Sequence, residues 1–188
     1  MSRSLEATRE RLAPILAGLD HKEEESRDGM LTLRAPQDGV RAVLAGLHAK
    51  AGYELCTIVT AVDHDEAPTP RPQDTGGARF EVVWQLHSIT SNDRVRVKCW
   101  LAGEEPGEAG FSAPTVMDLW PGAAYFEREC FDMFGIGFDG HEGLKRLMMP
   151  DAYEYYPLRK EFPHGGIEPD RLYKAWDKQR RQPSGGTA

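Results

Sequence analysis

The sequence predicts an α+β domain in two layers, with helices packed on one face of a mixed or antiparallel sheet of about five strands, followed by a helix and an extended C-terminal arm. Three observations carry that reading. Two helical stripes interleave with strand-like segments in the order αββαβββ. The segments between residues 79 and 101 alternate apolar and polar residues, so each has one face to cover. Past residue 134, Gly135, Gly137, Gly140 and Gly143, then Pro150, Pro157 and Pro163, argue against another long helix or a wide sheet.

Leu12, Ile15, Leu16 and Leu19 recur at helical spacing after Ser4, a candidate cap, with Pro14 expected to kink or restart the helix. Asp28-Gly29, between the charged His21–Ser26 run and Met30–Arg34, suits a hairpin whose turn needs positive φ. Val40, Val43, Leu44 and Leu47 line one face of a second helix, which Gly52 ends. Tyr53–Val62 is apolar or small on both faces and reads as a central strand. Asp63–Ala78, with prolines at 68, 70 and 72, reads as a long exposed loop. Arg79–Thr90 and Arg94–Leu101 alternate as half-buried strands joined by a tight turn over Ser91–Arg94. Gly103–Pro114 is a loop, Thr115 and Asp118 have the spacing of a helix cap, and a helix is expected from Pro121 to about Phe134. The chain thus divides into a core domain over 1–102, a loop and cap over 103–118, a helix and extended interface arm over 119–163, and a basic, partly flexible tail over 164–188.

Composition narrows the function. The 188 residues include 23 basic and 30 acidic ones, for a formal charge of −7, which lacks the basic footprint of a nucleic-acid binder. Charge is uneven: residues 159–181 hold seven basic against four acidic residues, so a tail at +3 follows a remainder at −10, as if to lie on an acidic partner. No apolar run approaches the roughly 20 residues a membrane span needs, and the N-terminus has no apolar leader core, so a soluble, cytosolic protein is expected. Cys56, Cys99 and Cys130 form no C-x-x-C pair and read as small buried hydrophobes.

The segment after residue 119 carries the most information. At 100° per residue, Trp120, Ala123, Ala124, Cys130, Phe131 and Phe134 share one apolar arc with Glu127 near its middle. A carboxylate there needs a partner or a raised pKa, and Arg146, Arg159 or Lys160 of the arm are the candidate cations. Arg128 and Asp132 lie together on one flank, and Glu129 points nearly opposite Glu127. Two chemistries are open to these side chains: an ion-pair hub of Glu127, Arg128, Glu129 and Asp132 that clamps the arm or a neighbour, or a catalytic carboxylate pair. His141, among glycines, could be a ligand, a base or a turn residue bonded to backbone, the last being favoured. Asp63-His64-Asp65-Glu66 has metal-ligand composition but reads as a solvated loop. No phosphate-binding, zincin or nucleophile-elbow motif occurs.

The run Leu119–Pro150, with Glu127-Arg-Glu-Cys-Phe-Asp-Met-Phe-Gly135, His141 and Arg146-Leu-Met-Met-Pro150, together with Pro157-Leu-Arg-Lys-Glu-Phe-Pro163, resembles the 30 kDa-type (C-type) subunit of respiratory NADH:quinone oxidoreductase, complex I. Thr60–Asp63, Arg79–Val83 and Arg94–Lys98 extend the likeness upstream, so that it spans roughly residues 55–163. The chain departs from the family at Tyr155, a bulky ring where a small residue is usual. The resemblance implies a scaffold subunit that binds no redox cofactor, with FMN and iron–sulfur clusters in partner subunits. It implies a hetero-oligomer on the cytoplasmic face of the membrane, packed against the quinone-site and terminal iron–sulfur subunits among other peripheral-arm subunits. Glu127, Arg128, Glu129, Asp132, His141, Arg146, Tyr155, Pro157, Leu158, Arg159 and Lys160 are the candidate interface and ion-pair residues. The alternatives are the same scaffold in a membrane-bound hydrogenase or other quinone-linked dehydrogenase, and, from another class, a metal-dependent hydrolase using His141 with Glu127 or Asp132.

Overall fold

The computed structural model describes residues 5–65, 77–166 and 178. The element order is α1 (Leu5–Leu16), β1 (Lys22–Glu24), β2 (Leu31–Arg34), α2 (Val40–Ala51), β3 (Leu55–Asp63), β4 (Phe80–Ser88), β5 (Asp93–Trp100), β6 (Ser112–Pro114), α3 (Ala123–Phe134) and β7 (Gly137–Asp139). Five strands form a mixed sheet in the order β1-β2-β5-β4-β3, antiparallel except for the parallel β2–β5 pair. The expected α+β architecture is what the chain adopts.

Val40, Val43, Leu44 and Leu47 are all fully buried, because α2 lays this stripe over the sheet. Gly52 ends the helix at φ 67°, its N–H returning to the Leu47 carbonyl, the left-handed geometry that favours glycine. Val82, Trp84, Leu86, Val95, Val97 and Cys99 supply the sheet's side of the core. On the other face Glu81 is buried among Arg34 (2.6 Å), Lys98 (3.6 Å) and His64 (3.4 Å), with the Arg34 guanidinium stacked on Trp100. Burial alone would raise the Glu81 pKa; His64, Lys98 and Arg34 more than offset it and hold it low.

Several expectations are corrected. β3 is an edge strand, not a central one. Its second apolar face is explained by α3, which packs against it and bonds the Val59 carbonyl through Cys130 Sγ, while Leu55 and Val62 remain exposed. Pro14 does not restart α1, which runs through to Leu16 because the proline falls in its last turn. Thr115 and Asp118 do not cap α3: Gly122 stands at that position without a side-chain bond, Thr115 turns to Glu127, and Asp118 pairs with Arg41. A two-stranded parallel pair, β6 with β7, ties Ser112–Pro114 to Gly137–Asp139 where only loop was expected. The hydrophobic core does not stop at residue 102; Phe111, Val116, Trp120, Cys130, Phe134 and Ile136 belong to it. Asp63 is no solvated loop residue but the buried last residue of β3. Cys99 and Cys130 are buried and Cys56 half-buried, and burial pushes the Cys56 and Cys99 thiols up to about 12. Ser4, Glu66, the prolines at 68, 70 and 72 and the tail from 167, save the exposed Lys178, lie outside the described residues.

Candidate functional site

α3 buries Ala123, Glu127, Cys130, Asp132, Met133 and Phe134. Two acids on one short helix are therefore fully sealed from solvent, and each needs its own set of partners.

Glu127 finds its hydrogen-bond donors in the 112–118 segment, not among the cations of the arm. Thr115 Oγ1 donates to Oε2 at 2.5 Å and the Val116 amide to Oε1 at 2.7 Å. His141 Nε2 lies 3.9 Å from Oε2 and within hydrogen-bond distance of the Ala124 carbonyl, at 3.1 Å. Burial raises the Glu127 pKa, an effect that Thr115, Val116, His141 and Arg41 only partly offset. Of the three expected cations, Arg146 and Arg159 bond other acceptors and the Lys160 side chain is exposed.

Asp132 takes Arg146. Its Oδ1 accepts from Arg146 Nη1 at 2.7 Å, and its Oδ2 accepts the successive amides of Leu147, Met148 and Met149 at 2.9, 2.6 and 2.8 Å. Burial would raise its pKa, but the Met149 amide, Arg146 and the other two amides hold it below the usual range. One turn earlier on α3, Arg128 donates to the carbonyls of Lys145 (3.2 Å) and Arg146 (3.0 Å). The flank of Arg128 and Asp132 thus grips one segment of arm from both sides.

Arg159 is the most enclosed cation of the arm, 6% exposed. Its Nε donates to the Phe134 carbonyl at 2.7 Å, Nη2 to the Glu104 carbonyl at 3.2 Å, and Nη1 pairs with Glu105 and Glu161 at 3.2 and 3.4 Å. The guanidinium also sits about 5 Å from the ring centroids of Phe80, Phe111 and Tyr156. Beside it, Asp63 accepts from Arg79 Nε (2.8 Å) and Nη2 (2.7 Å) and from the Lys160 amide (2.8 Å), and Arg79 also pairs with Glu161. Burial would raise Asp63, but Arg79 and the Lys160 and Asp65 amides bring it down to about 2. The Lys160 side chain itself is exposed.

Gly135 ends α3 at φ 80° directly beneath Tyr156: a Cβ there would stand 2.8 Å from the Tyr156 ring and 2.9 Å from Pro106. Gly135→Ala is expected to destabilise the protein by about 2 kcal/mol, from the left-handed backbone and the overpacking together. An unchanged urea midpoint would show that the ring can move aside freely.

The remaining expected site residues face outward. Glu129, Tyr155 and Leu158 are exposed and Pro157 is half-buried, so the eleven residues do not form one hub. Six of them are fasteners directed inward (Glu127, Arg128, Asp132, His141, Arg146, Arg159), while Glu129, Tyr155, Leu158 and Lys160 are exposed. Tyr125, Leu147, Met148, Tyr155 and Leu158 are five of the eight large hydrophobic side chains exposed among the described residues, Met148 at 60% and Leu158 at 52%. Arg128 lies 5.9 Å from the Tyr125 ring centroid while bonding 145 and 146, Arg146 reaches the Tyr155 carbonyl, and the Leu158 amide bonds the Met133 carbonyl. Thr115, Asp63, Arg79 and Glu105 are not among the expected site residues, and Tyr156, expected to be exposed on the arm, is half-buried against Arg159. Only Asp63 had a sequence signal, an acid closing an apolar strand with Arg79 opening the next.

Catalysis by this set has poor geometry. Glu127 is sealed, and both Asp132 oxygens are committed to the arm. Among the described residues no three His, Cys, Asp or Glu side chains come together as a metal site, and no helix is long and apolar enough to cross a membrane.

The chain is similar to known proteins over most of its length. Residues 33–168 match the family described as respiratory-chain NADH dehydrogenase, 30 Kd subunit. The C-type NADH-quinone oxidoreductase subunit of Geobacter metallireducens is 36% identical over 138 residues, 73% of this chain and 77% of that one. A C/D-type NADH-quinone oxidoreductase subunit of Aquifex aeolicus is 44% identical over 130 residues, 69% of this chain; the chain spans about a fifth of that protein's length, 20%. The solved trypsin-resistant fragment of Nqo5 is 31% identical and superposes with a TM-score of 0.58 over 71% of this chain and 99% of the fragment. A chain of an archaeal membrane-bound sulfane sulfur reductase, 24% identical, shares the fold at a TM-score of 0.65 over 97% of this chain and 95% of that one. On the family match and the identity to the Geobacter protein together, the chain belongs to the 30 kDa subunit family of the respiratory-chain NADH dehydrogenase.

Proposed function

We propose that the protein is a structural, non-redox subunit of the peripheral arm of a proton-translocating NADH:quinone oxidoreductase, held at the cytoplasmic face of the membrane. In this reading it packs against the quinone-site and terminal iron–sulfur subunits, which, with other partners, carry the FMN and iron–sulfur chemistry. The observation that supports it best is the outward ridge of Tyr125, Leu147, Met148, Tyr155 and Leu158 on an arm whose Asp132, Arg146 and Arg159 are used internally. Clustered exposed aromatics, Leu and Met on a scaffold fastened from behind describe the centre of an obligate interface.

The test is to tag the full chain in its own cells and identify what co-purifies. Wild type is expected to bring down quinone-site and iron–sulfur subunits, and a Met148→Asp/Leu158→Asp double variant to lose them with its Tm within about 2 °C of wild type, as surface changes do. Co-purification unaffected by the double variant would remove the ridge from the interface. An electron-input partner other than an NADH-oxidising one would move the scaffold to a hydrogenase-like or other quinone-linked complex.

A further inference from the structure

The Asp132 carboxylate touches no solvent, so it cannot itself meet a partner; yet both its oxygens are spent on the segment that carries the ridge. Oδ2 gathers three successive amides, those of 147, 148 and 149. Consecutive N–H groups converging on one anion make a nest, a backbone shape held by the anion it surrounds. With the amides turned inward, the Leu147 and Met148 side chains project out, where they are exposed. Oδ1 holds Arg146, whose guanidinium goes on to the Tyr155 carbonyl at 3.4 Å and lies 5.2 Å from the Tyr156 ring centroid. One buried carboxylate therefore shapes residues 146–149 directly and 155–156 through Arg146.

We infer that Asp132 is a positioning residue that sets the docking ridge in its binding shape before any partner arrives, so that assembly meets a finished surface instead of folding one. The inference rests on the proposed docking role of the ridge. Its physical content is the entropy of ordering the arm. A chain segment that must be ordered at the moment of binding associates more slowly and less tightly than the same segment held in place beforehand.

Hydrogen exchange on the unassembled full-length wild-type chain tests this without any partner. The Leu147, Met148 and Met149 amides are expected to exchange at least about 100-fold more slowly than unstructured amides of the same sequence. Exchange at the unstructured rate overturns the inference and leaves the subunit reading standing. In Asp132→Ala these three amides are expected to lose protection while β4 and β5 keep theirs; protection retained at 147–149 overturns it as well. Should that variant fail to fold, Arg146→Met leaves the nest's acceptor in place, and protection is expected to fall less than tenfold at 147–149 and more at the Leu158 amide; a larger fall at 147–149 than at 158 overturns the inference. Binding to the co-purifying subunits supplies a readout that lost stability alone would not move. Asp132→Ala is expected to slow association about tenfold with dissociation changed less than about threefold, whereas Leu158→Asp acts on dissociation. The reverse pattern for Asp132→Ala overturns the inference, and failure of wild type to bind those subunits overturns the docking role instead.

Discussion

Arg159→Ala is expected to lower the free energy of unfolding by about 3–5 kcal/mol, the cost of leaving two carbonyls without donors and a gap among three rings, with little from the exposed Glu105 and Glu161. In a chain of this length that corresponds to a fall in Tm of roughly 6–20 °C. The loss has three sources. The Phe134 and Glu104 carbonyls lose their donors, Glu105 and Glu161 lose their cation, and a gap opens between Phe80, Phe111 and Tyr156. Arg159→Lys separates charge from shape: an ammonium keeps the charge but cannot fork between two carbonyls or stack on three rings, so it should recover less than half of the loss. Urea denaturation of the three proteins measures both. A loss below about 1 kcal/mol for alanine would mean that the arm is anchored elsewhere.

Glu127 should respond in the opposite sense to neutralisation and to deletion. Burial raises its folded pKa above the unfolded value, so the folded state holds the proton more tightly. That contribution favours folding fully below the unfolded pKa, near 4.3, and is lost as pH rises through the raised folded value. Glutamine imitates the protonated form and can still accept from the Val116 amide. Glu127→Gln is therefore expected to be at least as stable as wild type at neutral pH, within about 1 kcal/mol, with the difference shrinking on acidification. Glu127→Ala leaves the Thr115 hydroxyl and the Val116 amide without their acceptor and opens a cavity, for a cost of about 3 kcal/mol. Stability curves of the three proteins between pH 4 and 8 decide it. A glutamine variant as unstable as the alanine variant would mean that the ionised carboxylate is what the site requires.

The parts of this molecule that could be read from its sequence are those governed by periodicity. The α2 stripe, the alternating faces of β4 and β5 and the Gly52 terminator are short-range patterns, and each has one outcome. The rank of β3 was not legible, because a strand covered on its second face by a helix has the same composition as one flanked by two strands. That α3 had a buried acid followed from its arc. Which group would satisfy Glu127 did not, since Thr115 and the Val116 amide are brought there by the β6–β7 pairing, whose three-residue strands carry no periodic signal. The charged signature marks residues around the arm without showing the direction they face. Asp132, Arg146 and Arg159 turn inward, whereas Leu147, Met148, Tyr155 and Leu158, which lie between the last two in the chain, are exposed.

The parallel pairing of β2 with β5 bears on how the chain reaches this state. Leu31 aligns with Val95 and Leu33 with Val97, so the N-terminal hairpin joins the sheet only after α2, β3, β4 and β5 have all been made. Closing so long a loop is slow compared with the local β3–β4–β5 meander. During synthesis the meander and α2 can therefore collapse first, leaving the β2 side of β5 as an open edge until the hairpin returns to it. The β1–β2 hairpin then acts as the closing piece of the sheet, and its charged outer strand, Lys22-Glu-Glu24, leaves an edge that discourages further strand addition.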